Sequence, residues 1–507
     1  MRTAVRHRGD IMTARIGFDN EKYLRLQSEH IRERISQFGD KLYLELGGKL
    51  FDDYHASRVL PGFEPDSKIK MLSQLADKAE VVIVINAADI AKNKVRSDLG
   101  ITYEADVLRL IDAFRARGLF VGTVVISQYA GQSAADVFRR RLLSMGIKVA
   151  MHYPIDGYPG NIPHIVSDEG YGKNDYIETE HPLVIVTAPG PGSGKLATCL
   201  SQLYHDSKRG IKAGYAKFET FPVWNLPLKH PVNLAYEAAT ADLKDVNIID
   251  SFHLDAYGKL AVNYNRDLEA FPLLRAMFEK ITGKCPYKSP TDMGVNMVGF
   301  CISDEEAVCE AAKHEIVRRY YAAKCDKVLC KVDDETVYKC EMIMSQAGVT
   351  TDYRRVTAKA VDLSLITNKP AVCIELKDGT LVTGKTTPLL GSSSAALLNA
   401  LKVIAGIDDE IKLISQSVIE PVCRLKTEML GNHNPRLHTD ETLIALSVCA
   451  ATDDYARRAL EALKELRGTE LHSTVVLPAV DAATFKKIGV NYTCEPVYES
   501  KKLYKVK

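Results

Sequence analysis

The stretch from Leu183 to Tyr204 constrains the fold more than any other. Four apolar residues, Leu183-Val184-Ile185-Val186, run into Thr187-Ala188-Pro189-Gly190-Pro191-Gly192-Ser193-Gly194-Lys195. Apolar residues then recur at Leu196, Cys199, Leu200, Leu203 and Tyr204, which is one face of a helix. Strand, glycine turn, lysine and helix together make a construction that wraps a phosphate. Glycines let backbone N–H groups turn inward, the helix N-terminus adds partial positive charge, and the lysine reaches the outer oxygens. The candidate phosphate- or nucleotide-binding residues are therefore Gly190, Gly192, Ser193, Gly194, Lys195 and Thr198. The match to G-x-x-x-x-G-K-[ST] departs twice, with Pro189 at the first glycine position and Leu196 at the hydroxyl position. That hydroxyl is ordinarily a magnesium ligand, and Thr198 is the nearest substitute. The alternative is a tight strand–helix turn with a solvated lysine.

A second apolar run, Val246-Asn247-Ile248-Ile249, ends in Asp250-Ser251-Phe252-His253. A carboxylate there would hold magnesium through water or accept a proton from an attacking hydroxyl. Lys195, Asp250 and His253 are thus the candidate catalytic residues, with Asp250 also the candidate metal partner. Asp255, Arg436 and His438 are candidates for the substrate side, the last two from the polar run Gly431 to Glu441. The chemistry expected is phosphoryl transfer from ATP or GTP with Mg2+ to a small metabolite, with no structural metal. The alternatives are an enzyme acting on a phosphorylated metabolite without nucleotide, and a non-catalytic, nucleotide-regulated binding protein.

Partner classes follow from charge. With 66 basic and 65 acidic side chains the formal net charge is +1, which offers nucleic acid or an anionic membrane no general attraction. A small phosphorylated molecule or nucleotide is the expected partner, and a homo-oligomer stays open. The eleven cysteines include no C-x-x-C pair, and several sit in apolar runs such as Ala371-Val372-Cys373-Ile374. They read as small core residues of a reducing compartment. The basic stretch Met1 to Arg15 lacks an apolar segment and reads as a disordered arm. No run of eighteen apolar residues occurs, so a cytoplasmic protein is expected.

At 507 residues, two to four domains are expected. Residues 16–152 alternate apolar strands (42–46, 80–86, 119–127, 147–152) with helical stretches (20–37, 103–117, 134–145), an N-terminal α/β domain. Residues 153–281 read as a Gly/Pro/Tyr-rich crossing segment and the domain carrying the glycine loop. Residues 282–507 form a further α/β region, with a possible break near 430. Strands are expected there at 297–302, 371–376, 443–449 and 474–477, and Lys377-Asp378-Gly379-Thr380 is a hairpin turn. The predicted fold is multi-domain α/β with mainly parallel open sheets flanked by helices. Ser392-Ser393-Ser394, ahead of a helix to Ala405, reads as a cap or as a second anion site.

Two resemblances extend this reading. Gly192 to Lys195, Asp250 to His253, and Asn265-Arg266-Asp267 with Phe271-Pro272-Leu273-Leu274 look like the uridine kinase and phosphoribulokinase group. That likeness implies that Asp250 is the base activating a substrate hydroxyl. A broader one spans nearly the whole chain from Ile16. Ile16 to Tyr23, Gly48 to Phe63 and Thr187 to Lys195 are similar to a bacterial family catalogued as domain of unknown function 1846. It implies a multi-domain α/β architecture and carries over no catalytic residue.

Overall fold

The computed structural model describes residues 15–39, 41–48, 50–51, 53–96 and 99–499. All but Arg15 of the expected N-terminal arm lies outside them. The chain divides into two compact units, one of Ile16–Tyr236 with Asp245–Val308, the other of Glu237–Lys244 with the chain from Cys309. No helix among the described residues is long and apolar enough to cross a membrane.

The first unit is built on one seven-stranded sheet. Its strands are β1 (Leu42–Leu46), β2 (Ala79–Asn86), β3 (Phe120–Ser127), β4 (Lys148–Met151), β5 (Leu183–Thr187), β6 (Gly214–Phe218) and β7 (Gly294–Val295). Their order is β7-β6-β1-β5-β2-β3-β4 and every pairing is parallel. A parallel sheet is covered on both faces, so its strands are apolar throughout. β5 is wholly buried and β2 nearly so. Helix α1 (Asn20–Gln37) has the predicted bounds. Helix α2 (Tyr103–Arg115) packs on β2 and β3, and α3 (Lys195–Lys208) packs on β1, β5 and β6. Cys199, Leu200 and Leu203 of α3 join Val82, Val84, Val184 and Val186 in the core, with Phe271, Met277 and Phe278 from α5 (Asn265–Thr282). Each such side chain contributes roughly 1.5–3 kcal/mol when fully buried.

The expected boundary between 16–152 and 153–281 is not a domain boundary. β5 lies between β1 and β2, and β6 pairs with β1, because a lone parallel strand leaves its ladder unpaired. The crossing segment is itself packed on the unit: the Gln202 amide takes the N–H of Ile177 and donates to its carbonyl. Asn247–Ile249 and Val262–Tyr264 form a separate antiparallel ribbon, and α4 (Ser251–Tyr257) lies between them.

The second unit holds a four-stranded sheet of β8 (Ala371–Glu375), β9 (Leu381–Lys385), β10 (Glu470–Ser473) and β11 (Asn491–Cys494), ordered β9-β8-β10-β11. β8 and β9 form the predicted hairpin, but this sheet is mixed, with only β10 and β11 paired in parallel. Three strand expectations are corrected. Residues 297–302 contain a short 3-10 helix, Val298–Cys301; residues 443–449 belong to helix α8 (Thr439–Cys449); and the strand near 474–477 is β10. Helices α6 (Glu305–Val328), α7 (Ser392–Ala405) and α9 (Ala479–Ile488) are the others used below.

Candidate functional site

β1 to β4 proceed toward one edge of the sheet, whereas β6 and β7 lie toward the other. β5 occupies the place where the connections reverse. In open α/β sheets ligands bind beyond the carboxyl ends of the strands at such a point, and the loop after β5 is the glycine loop.

The loop is fixed from several sides. Gly192 and Gly194 have φ of +74° and +90°, while Ser193 between them keeps a negative φ. This alternation turns consecutive N–H groups toward one concavity. The Ser193 hydroxyl donates to the Gly190 carbonyl at 2.7 Å, and the Ser127 hydroxyl donates to the Ser193 carbonyl at 2.6 Å. Asn86, ending β2, reaches the Gly192 carbonyl. Gly190 lies against Tyr103, whose Oη would collide with an added Cβ.

Among the described residues, the amides of Gly192 through Ala197 donate no hydrogen bond, and the first helical bond to the loop runs from Thr198 N–H to the Gly194 carbonyl. Lys195, half-buried at the start of the fourteen-residue α3, forms no ion pair among them. Thr198 is fully buried, and its Oγ1 has no hydrogen-bond partner among the described residues. It lines a cavity of about 20 Å3, room for roughly one water, together with Ser127, Gln128, His152, Asn174 and Gly194. Gln128 holds a left-handed φ of +54°. The His152 Nε2 lies 3.2 Å from the Asp175 carbonyl. A carbonyl can only accept, so Nε2 carries the proton. Burial lowers the imidazole pKa to about 4, keeping the ring neutral at neutral pH.

The remaining candidates lie elsewhere. Asp250 is the N-cap of α4 and is fully buried. Its Oδ1 accepts from His253 N–H, and its Oδ2 accepts from the Thr291 N–H and hydroxyl at 3.2 and 2.6 Å. Both oxygens therefore serve the local fold. The strand before Asp250 belongs to the antiparallel ribbon, and no hydrogen bond or ion pair among the described residues joins Asp250 or His253 to Lys195. His253 Nδ1 lies 3.0 Å from the Ser289 hydroxyl, with its ring beside Tyr257 and Trp224. Asp255 is exposed on α4. Arg436 and His438 belong to the second unit, where Arg436 pairs with Glu499 and His438 Nδ1 approaches Asp481 Oδ1 at 3.4 Å.

Sequence reading missed Asn86, Ser127, Gln128, His152 and Asn174. The first four end or directly follow apolar strands that a parallel sheet aligns, so carboxyl-end position is the signal that finds them. Asn174, in the crossing segment, carries no such signal.

Comparison with known proteins places nearly the whole chain. The N-terminal profile of the family described as domain of unknown function DUF1846 matches residues 16–348, and its C-terminal profile matches residues 352–504. A UPF0371 protein of Corynebacterium aurimucosum is 58% identical over 487 residues, 96% of this chain and 98% of that protein. A UPF0371 protein of Streptococcus pyogenes serotype M5 is 56% identical over 490 residues, 97% and 99% of the two chains. The glycine loop and the residues around it lie inside the first matched profile, and with both profiles matched in order, the chain belongs to the DUF1846 family.

Proposed function

We propose that the first unit binds the phosphate of a small phosphorylated metabolite on the loop from Gly190 to Lys195. The observation that carries this reading is the run of amides from Gly192 to Ala197 that find no acceptor among the described residues, beside a Lys195 without an ion pair among them at the start of a long helix. Unsatisfied N–H groups and the helix dipole both favour an anion there. Asp250, with both oxygens occupied, and Leu196, in place of a hydroxyl, favour a metabolite phosphate over a magnesium nucleotide.

Phosphoryl transfer from ATP or GTP is the second reading, and the unpartnered Thr198 hydroxyl one helical turn past Gly194 favours it. There Thr198 would supply the missing hydroxyl, and Lys195 would neutralise charge on the transferred group.

Thermal unfolding with inorganic phosphate, sugar phosphates, ATP and GTP, each with and without Mg2+, separates the readings. A ligand at a hundred times its dissociation constant stabilises by about 2.7 kcal/mol. Stabilisation by sugar phosphates without Mg2+, lost in Lys195→Ala, is the expected result. Nucleotide stabilisation that deepens with Mg2+ would favour the second reading. No shift with any of them, or shifts indifferent to Lys195→Ala, would refute both.

A further inference from the structure

The second unit repeats the strand–turn–helix arrangement in a different setting. β9 runs antiparallel to β8, as does β10, and β11 is parallel to β10. The carboxyl ends of β9, β10 and β11 therefore share one end of the sheet. β9 leads there to Thr386 and then to α7, which begins Ser392-Ser393-Ser394 behind Gly391.

The segment before α8 is fastened over that helix start. The Leu437 carbonyl accepts from the Gly391 N–H at 3.3 Å and from the Ser394 hydroxyl at 2.9 Å. Leu437 is buried, and its two neighbours, Arg436 and His438, line a small cavity of about 30 Å3 with Ser392 and Ser393. Ser392 and Ser393 are only 6% and 2% exposed, yet among the described residues their hydroxyls make no hydrogen bond. The amides of Ser392, Ser393 and Ser394 likewise donate none there. A helix start alone is weak evidence for a ligand. Two serines more than nine-tenths buried, lining the cavity with hydroxyls that find no partner among the described residues, are a second and independent sign.

Two carboxylates, Asp481 and Glu499, also line the cavity, and each already has partners. Asp481 accepts from the Thr439 N–H and hydroxyl and approaches His438, while Glu499 takes one N–H of Arg436 at 2.6 Å. A guanidinium has five N–H donors, so Arg436 keeps others for a ligand. The hydrogen bond with Asp481 raises the His438 pKa, which favours the cationic ring. The seat also opens onto something larger: Asn434, Arg436 and Glu499 line an adjoining cleft of about 810 Å3 with Lys369, Thr386 and Thr387. Eight of its eleven described lining residues carry hydrogen-bonding side chains, and His433 is the only aromatic ring among them. Such a wall suits a hydroxylated group better than a stacked nucleobase.

We propose that the second unit carries an anion site of its own, in which Ser392, Ser393 and the amides of α7, flanked by Arg436 and His438, seat the phosphate of a phosphorylated sugar or polyol. This site is independent of the glycine loop.

Calorimetric titration of the full chain with glucose 6-phosphate and with ribose 5-phosphate tests it, using Lys195→Ala to remove the loop. The expected result is that Lys195→Ala retains one saturable equivalent of at least one of the two. Adding Ser393→Ala or His438→Gln should weaken that equivalent at least tenfold, while circular dichroism shows the fold intact. A wild-type protein that binds one equivalent, indifferent to Lys195→Ala and weakened by His438→Gln, would uphold this site and sink the loop reading. If Lys195→Ala binds neither sugar phosphate, the second site is refuted. Retained binding indifferent to both Ser393→Ala and His438→Gln overturns it as well.

Discussion

Ser127, the last residue of β3, and Ser193, inside the glycine loop, are joined by a 2.6 Å hydrogen bond from hydroxyl to carbonyl. Both residues are buried, so bulk water does not compete for that bond. It fastens the loop to a strand that precedes it by more than sixty positions, and the loop shape exists before any ligand arrives. Preorganisation of this kind lowers the ordering cost of binding. Ser127→Ala leaves the Ser193 carbonyl buried and unpaired at this point. The variant should lose about 1–3 kcal/mol of stability by denaturant titration, and phosphate-ester affinity should fall with it. Unchanged stability would mean that the loop is held without Ser127.

His152 gives the same region a pH signature. Its pKa is depressed to about 4 by burial, against the ordinary value of 6.5. Above pH 6.5 the ring is neutral in both the folded and the unfolded chain. Between 6.5 and about 4 the unfolded chain takes a proton that the folded one refuses, so folding stability falls as pH drops through this window. The full loss is about 3 kcal/mol at 1.36 kcal/mol per unit. His152→Gln removes this contribution. Stability curves measured from pH 7 to pH 4 should therefore diverge, with the wild type losing more. Parallel curves would show that His152 titrates normally.

The fold was more legible than the site, and the reasons differ by unit. The strands of the parallel sheet are apolar on both faces, and the α1 bounds follow from a clear 3.6-residue period. In the second unit Leu443 to Cys449 is apolar without a period, and such a short run reads equally as strand or helix. It is helix because Thr439 to Glu441 caps it: His438 N–H donates to the Glu441 carboxylate at 2.8 Å. β10 escaped notice for the opposite reason. Its sequence, Glu470-Leu471-His472-Ser473, is polar at alternate positions because those side chains enter a buried network rather than solvent. At the site, Lys195 and the glycines announced themselves locally. Asn86, Ser127 and His152 are brought there only by the strand order, which no local pattern encodes.

Thr198 separates a cost to the fold from a use in binding. A buried hydroxyl without a partner carries a desolvation penalty of about 1–3 kcal/mol. Thr198→Val replaces it with a methyl group of similar shape. The ligand-free variant should melt at or above the wild-type temperature. Its phosphate-ester or nucleotide affinity should nonetheless fall severalfold if the hydroxyl serves the ligand, as measured by calorimetry. Stability gained with affinity unchanged would assign Thr198 to packing alone.

The C-terminal sheet rests on a buried ion network whose centre is Glu470. Its two oxygens meet Arg318 at 2.8 Å and Arg354 at 2.6 Å, and Asn491 adds a 3.1 Å bond. Arg354 is among the largest fully buried side chains among the described residues. Burial alone would push the Glu470 pKa up; the two guanidinium groups reverse this and hold it below the ordinary glutamate value. Arg318 also pairs with the buried Glu315 at 2.7 Å, so removing Glu470 leaves chiefly Arg354 uncompensated, and breaking a buried pair costs about 3–5 kcal/mol. Glu470→Gln should destabilise by roughly that amount at pH 7. Because the folded pKa is depressed, this contribution is fully present above the unfolded value of about 4.3. It disappears as pH falls through the lower folded value. The gap between wild type and variant in denaturant titrations should accordingly be wide at pH 7 and close in acid. Combining Glu470→Gln with Arg354→Met removes the charge that Glu470→Gln strands, so the double variant should be more stable than Glu470→Gln alone. A gap independent of pH, or a double variant whose losses simply add, would show that Glu470 acts through its shape rather than its charge.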